Sequence, residues 1–199
     1  VSARPRSRPP LDQFDRRRVG AGFLAAAAAL LVTAAGFVPW LKIVDPTGTV
    51  SVSGWGQLSG DTQLTGTNIN DLFGELGASV TYRPAQFVSV VAGFALIAGL
   101  VLAARVSRPA GAVLALVGLY AVVWGTIRLF SLGAAADVLV GDPADAAADA
   151  AAADQTGSAV TGTASAGVGP WLTLSGGLVL TAVAAALFLG WLGHRQERA

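Results

Sequence analysis

Residues 84–104, PAQFVSVVAGFALIAGLVLAA, run for 21 consecutive positions without a charged side chain. At about 1.5 Å of rise per residue, roughly 20 helical residues cross a hydrocarbon core of roughly 30 Å. Three further stretches read the same way: 19–41, 110–133 and 170–192, the four together being 21–24 residues long. Only one of them holds a charge, Arg128. Charged residues make up 13% of the chain, against about 25% in soluble domains, so the surplus apolar surface points to lipid as the solvent. The expected fold class is an all-α membrane protein, a four-transmembrane-helix bundle with a small β-rich extracytoplasmic first loop.

The distribution of charge orients the bundle. Of the 13 basic residues, ten fall in three segments that a four-span threading places on one side. These are Arg4, Arg6, Arg8, Arg16, Arg17 and Arg18, then Arg105 and Arg108, then Arg195 and Arg198. Basic flanks stay in the cytoplasm, which puts both termini there and residues 42–83 and 134–169 outside, in a bacterial inner (plasma) membrane. The first apolar run exceeds the roughly 7–15 residues of a signal peptide's core and meets no A-x-A site, so it is expected to be a retained anchor. Residues 1–18, rich in Pro and Arg, read as a disordered basic cytoplasmic tail, and 193–199 form the other cytoplasmic tail. The chain has no cysteine, so packing and hydrogen bonds alone must hold the outer loops.

The first outer loop carries the most local information. In LKIVDPTGTVSVSGWG, residues 41–56, the turn Asp45-Pro46-Thr47-Gly48 separates two runs of strand-forming residues. A second hairpin is expected with Gln57-Leu58 and Gln63-Leu64 on either side of Ser59-Gly60-Asp61. In TNINDLFGELG, residues 67–77, Asn68 is placed to cap a short helix whose one face is Ile69, Leu72, Phe73 and Leu76. The second outer loop is of low complexity. Asp142-Pro143 suits a helix start, with a helix to about Asp154 and a flexible Gly/Ser/Thr/Ala return to Pro170.

Few residues suggest chemistry. Arg128, the one ionisable group well inside a span, sits roughly 5–8 Å from the outer interface. Two readings stand: snorkelling beside Trp124 and Phe130 or a salt bridge to Asp137, and contact with a lipid headgroup, ligand or partner. Trp40, Trp171 and Trp191 fall at span ends and read as interfacial anchors. Trp55, between Gly54 and Gly56, is either a plug inside the β-rich cap or an exposed contact. Asp142, Asp145 and Asp149 read as a solvated acidic helix face rather than a Ca²⁺ site, because no other oxygen ligand accompanies them. Small residues recur at four-residue spacing, as Gly22/Ala26, Ala95/Gly99, Gly111/Ala115 and Ala121/Gly125, a pattern that lets helices approach closely in lipid. No Ser/His/Asp set, metal motif or phosphate loop is present, and neither cofactor nor nucleic-acid partner is expected.

Pro39-Trp40, VSVSGWG at 50–56 and GPWLTLSGG at 169–177 carry a resemblance. The chain resembles the actinobacterial tryptophan-associated four-span membrane proteins, a family without an established activity, so the resemblance implies no catalytic residue. Four spans with a β-bearing first outer loop are also similar to the claudin layout, without the claudin cysteine pair. The expected function is a non-enzymatic membrane accessory or scaffold protein that presents its outer loops to a larger envelope complex or to lipid. The alternative is a small transporter component or ligand-binding sensor using Arg128.

Because the chain has no native thiol, a single cysteine introduced for Ser51 should react with a membrane-impermeant maleimide on intact cells. One introduced for Ser7 should react only after permeabilisation; labelling of the tail on intact cells would reverse the assignment.

Overall fold

The structure, a computed structural model, describes residues 13–45, 48–61, 65–75, 82–105, 107–140 and 163–196. Helix α1 (Gln13–Ala34) passes through a 3₁₀ turn (Ala35–Phe37) into strand β1 (Pro39–Asp45), followed by β2 (Gly48–Ser53) and β3 (Leu58–Gly60). A short helix α2 (Ile69–Glu75) precedes α3 (Pro84–Ala104) and α4 (Arg108–Val140), and then β4 (Thr163–Ala166) leads into α5 (Val168–Gln196). Among the described residues, four segments are long and apolar enough to cross a membrane: Arg18–Phe37, Pro84–Ala104, Arg108–Ser131 and Val168–Gly190.

Side-chain size is sorted from inside to outside. The bundle interior is built from Ala25, Ala28, Ala29, Ala95, Ala98 and Ala184 with Leu102, Leu114 and Leu180. Phe23, Phe87, Phe94, Ile97, Leu116 and Phe130 are exposed on its perimeter, an apolar surface too extensive for water. In lipid the drive for helices to associate is packing, and small residues let backbones touch. A Cβ at Gly22 would lie 2.7 Å from the Gly99 carbonyl oxygen, and one at Gly99 would lie 2.9 Å from that of Gly22, so α1 and α3 cross glycine on glycine. The α4–α5 crossing is equally close at Gly118 and Gly177. Of the expected pairs, Gly22/Ala26 and Ala95/Gly99 meet at the α1–α3 crossing, and Ala121 with Gly125 faces α5. Gly118 and Gly177 belong to none of them. The hydroxyls of Thr33, Thr173 and Thr181 each donate to the carbonyl four residues earlier, which removes their need for a partner in hydrocarbon.

The sheet at one end of the bundle has the antiparallel order β3-β2-β1-β4. Pairing of β1 with β2 closes at Asp45↔Gly48, around the expected turn. Leu41, Val52 and Leu58 form the inner face, against Ile69 and Tyr82. The sheet is not the product of the first loop alone, because β4 comes from the second. Residues 163–166, expected as flexible return, pair with β1 from Leu41↔Ala166 to Val44↔Thr163. A Ser/Thr/Ala segment has little propensity of its own, and the exposed edge of β1 imposes the strand on it.

Other boundaries differ for physical reasons. Helix α1 begins at Gln13, inside the expected disordered tail, since nothing in QFDRRR opposes extending a helix that the span has already nucleated. The first span ends before Pro39-Trp40-Leu41, which are strand, because Pro39 ends the helix. Helix α4 continues to Val140 and α5 spans Val168–Gln196, so parts of the expected second loop and last tail are helical. For the second hairpin, Leu58 bonds to Gly66 and Thr67, and Gln57 bridges Asn68; Gln63-Leu64 lie outside the described residues. So does the helix expected at 142–154, with its acidic face.

Trp40 joins sheet to bundle. It is not an interfacial anchor: it is 1% exposed, and its indole N–H donates to the Ala35 carbonyl at 2.7 Å. That carbonyl ends a helix and would otherwise lack a donor. The register between β1 and β2 slips between Pro39 and Leu41, a bulge that takes Trp40 out of the strand's alternation. Gly54 and Gly169 leave room for the ring: a Cβ at either would come within 2.7 or 2.2 Å of the indole. Trp171 is 57% exposed, as an anchor would be, and the Trp191 side chain lies outside the described set.

The exchange Gly169→Ala should therefore lower the thermal midpoint in detergent, at a cost of about 1–3 kcal/mol for overpacking. At Gly93, where an added Cβ meets nothing within 4 Å, Gly93→Ala should leave the midpoint unchanged or raise it.

Candidate functional site

Arg128 lies on α4 three residues before Ser131, where the spanning segment ends at the sheet side. That places its Cα roughly 4–5 Å inside the boundary. Its guanidinium carbon sits 4.5 Å from the centroid of the Trp124 ring, one turn earlier on the same helix. The Trp124 indole N–H donates to the Pro84 carbonyl at 3.0 Å, and its ring stacks on Tyr120 at 6.1 Å. The cation therefore rests on a platform that is itself pinned to the start of α3. Phe130, the other expected neighbour, is 77% exposed on the perimeter. The Asp137 side chain lies outside the described set.

Tyr82, two residues before the Pro84 whose carbonyl holds the Trp124 indole, is a buried polar group the sequence reading missed. Its ring packs beneath the sheet against the Leu41–Val52–Leu58 cluster. Burial pushes its phenol up to about 12, while the Arg128 cation pulls the other way. Its hydroxyl and the Arg128 Nε are both buried and have no hydrogen-bond partner among the described residues. The Ser89 hydroxyl and the Trp55 indole nitrogen share that condition. A tyrosine immediately before an Arg-Pro helix start was the available signal, but spacing alone did not connect it to a residue 46 positions later.

A web of amides fixes the backbone of Tyr82. Asn70 Nδ2 donates to the Tyr82 carbonyl at 3.1 Å, and its Oδ1 accepts the Tyr82 N–H. Asn68 Oδ1 accepts from the Asn70 backbone N–H at 3.0 Å, the N-cap geometry expected of it. Asn68 Nδ2 reaches back to the Trp55 carbonyl at 3.1 Å. Gly56, at φ +86°, makes the turn from which its carbonyl meets the Ile69 N–H at 2.8 Å. Helix α2 is thus tied to the hairpin on one side and to the lead into α3 on the other.

The expected candidates divide accordingly. Ile69 packs on the inner sheet face. Leu72 and Phe73 lie in α2 with side chains outside the described set, and Leu76 lies outside the described residues. Trp55 is half-buried where α1 meets α3, its ring 6.2 Å from Phe37 and its indole nitrogen over Gly36, nearer to a plug than to an exposed contact. Among the described residues, no group of three or more His, Cys, Asp or Glu could hold a metal ion. No protein-family model matches the chain, and no curated protein matches it.

With Tyr120→Phe, Tyr82 becomes the sole tyrosine. Its tyrosinate absorbance should then appear at about pH 12, and Arg128→Gln should move it higher. Between the ordinary pKa of about 10 and that value, the unfolded chain releases the proton and the folded one keeps it, so stability should fall as pH rises. A titration midpoint at about 10 would show the phenol to be solvated.

Proposed function

We propose that the chain is a non-enzymatic accessory protein of a bacterial plasma membrane. In this reading both ends of the bundle's chain are cytoplasmic, and the sheet stands outside as a platform for a partner protein of the envelope. The observation that carries it is the outer row of the sheet. Ser59, Ser51, Lys42 and Ser165 stand directly opposite one another across all four strands. Their side chains point away from the inner apolar face; Lys42, Ser59 and Ser165 are exposed, and the Ser51 and Ser59 hydroxyls bond each other at 2.9 Å.

Such a face is short of apolar side chains and carries one cation. It suits a partner surface lined with carbonyls or carboxylates, where charge complementarity governs register and encounter. The rigidity of the platform favours the same reading. The Gly54 carbonyl in the β2–β3 turn accepts the Ala85 N–H at 3.1 Å, capping α3, and Trp40 is locked beneath β1. A surface held in place in the free protein loses less entropy on binding. The resemblance to tryptophan-associated four-span proteins, a family without an established activity, agrees with an accessory role.

Lys42→Glu tests the reading, since the side chain is exposed and the fold should survive. Proteins recovered with the chain from mild detergent should fall about tenfold or more, the loss of one interface hot spot. An unchanged set of partners at unchanged recovery would overturn it.

A further inference from the structure

The surroundings of Arg128 carry a second and independent assignment. A charge inside a membrane span is costly and normally faces a partner, a cavity or a pathway. Snorkelling would explain its depth, but the side chain is mostly buried and its Nε has no hydrogen-bond partner among the described residues. The guanidinium carbon lies 4.5 Å over the Trp124 ring, a cation–π contact that holds the group in place. A guanidinium presents a planar fork of donors that matches phosphate or carboxylate bidentately.

The neighbouring groups have the same bias. Tyr82 adds a buried O–H without an acceptor, and among the described residues no carboxylate pairs with Arg128. Buried donors without acceptors are rare in native proteins, and two of them flank the start of α3: Tyr82 stands two residues before Pro84, whose carbonyl holds the Trp124 indole that carries Arg128. Both are held in position, Tyr82 by Asn70 and Arg128 by Trp124 on Pro84. A site with donors, one positive charge and, among the described residues, no paired carboxylate calls for an acceptor-only anion. Arg128 lies three residues from the end of the spanning segment, within reach of the headgroup layer for a long side chain.

We propose that Arg128 and Tyr82, beside the Trp124 ring at the sheet end of α3 and α4, bind one phosphate group. Two sources share this chemistry: the headgroup of an anionic phospholipid, and free inorganic phosphate. The site does not depend on the sheet's outer face, so failure of either assignment leaves the other standing.

Native mass spectrometry of the full chain in a neutral detergent, titrated with dioleoyl-phosphatidylglycerol and separately with dioleoyl-phosphatidylcholine, tests it. One phosphatidylglycerol should be retained in preference to phosphatidylcholine. Arg128→Gln should weaken retention about tenfold or more and Tyr82→Phe by a smaller factor, the loss of charge-assisted hydrogen bonds. Arg128→Lys, which keeps the charge and loses the fork, should fall between them, and it carries the test if Arg128→Gln does not fold. Arg105→Gln, exposed at the other end of the bundle, should change nothing. Displacement of the lipid by millimolar inorganic phosphate would identify free phosphate as the ligand, and resistance to displacement would identify the headgroup. Equal retention of phosphatidylglycerol by wild type and both Arg128 variants, with no Arg128-dependent phosphate binding, would overturn the proposal.

Discussion

The indole of Trp40, sealed between α1, β1 and the start of α5, is the contact through which sheet and bundle become one body. A helix that ends at a membrane boundary leaves carbonyls without donors, and a strand that begins there must be aimed. Trp40 answers both needs at once, because its N–H takes the Ala35 carbonyl while its ring fills the space that Gly54 and Gly169 leave. The bulge at Trp40 is the backbone consequence. Gly167 then donates its N–H to the Trp40 carbonyl, so β4 and α5 are placed by the residue that places β1. Loss of any one of these small residues would push apart elements that are far apart in the chain.

The bundle follows from its solvent. Lipid tails are as apolar as leucine, so burying large side chains inside gains little, and close backbone contact gains more. The chain accordingly puts alanine and glycine at the crossings and phenylalanine and leucine on the perimeter. Two crossings are very tight, α1 on α3 and α4 on α5. Between α3 and α4 the sheet-side half is filled instead by the larger rings of Tyr120 and Trp124, which pack on Val32, Val88 and Ala92. That seam is where a bulky guanidinium finds room, and it is where Arg128 lies.

Much of this was legible in residue order. Spans at 84–104 and 110–133 announce themselves by length and lack of charge, and the turn at Asp45–Gly48 and the cap at Asn68 follow from local chemistry. Gly22 and Gly99 could be recognised as helix-contact residues, although not as each other's partners. Trp40 was misread because an aromatic residue at a span end has the same sequence signature whether it faces headgroups or the protein interior. β4 went unrecognised because Thr163-Ala164-Ser165-Ala166 has no alternation and becomes a strand only beside β1.

Composition and spacing by themselves determined the four apolar helices, the charge asymmetry between their ends and the hairpin of the first loop, since each depends on residues within a few turns of one another. Which glycines meet, which tryptophan is buried, and that Tyr82 shares its surroundings with Arg128 were decided only by tertiary packing. Those facts are distances between segments far apart in the chain, and no local preference encodes them. Hydrocarbon forces the helices to form, but only the fit of their surfaces selects their neighbours.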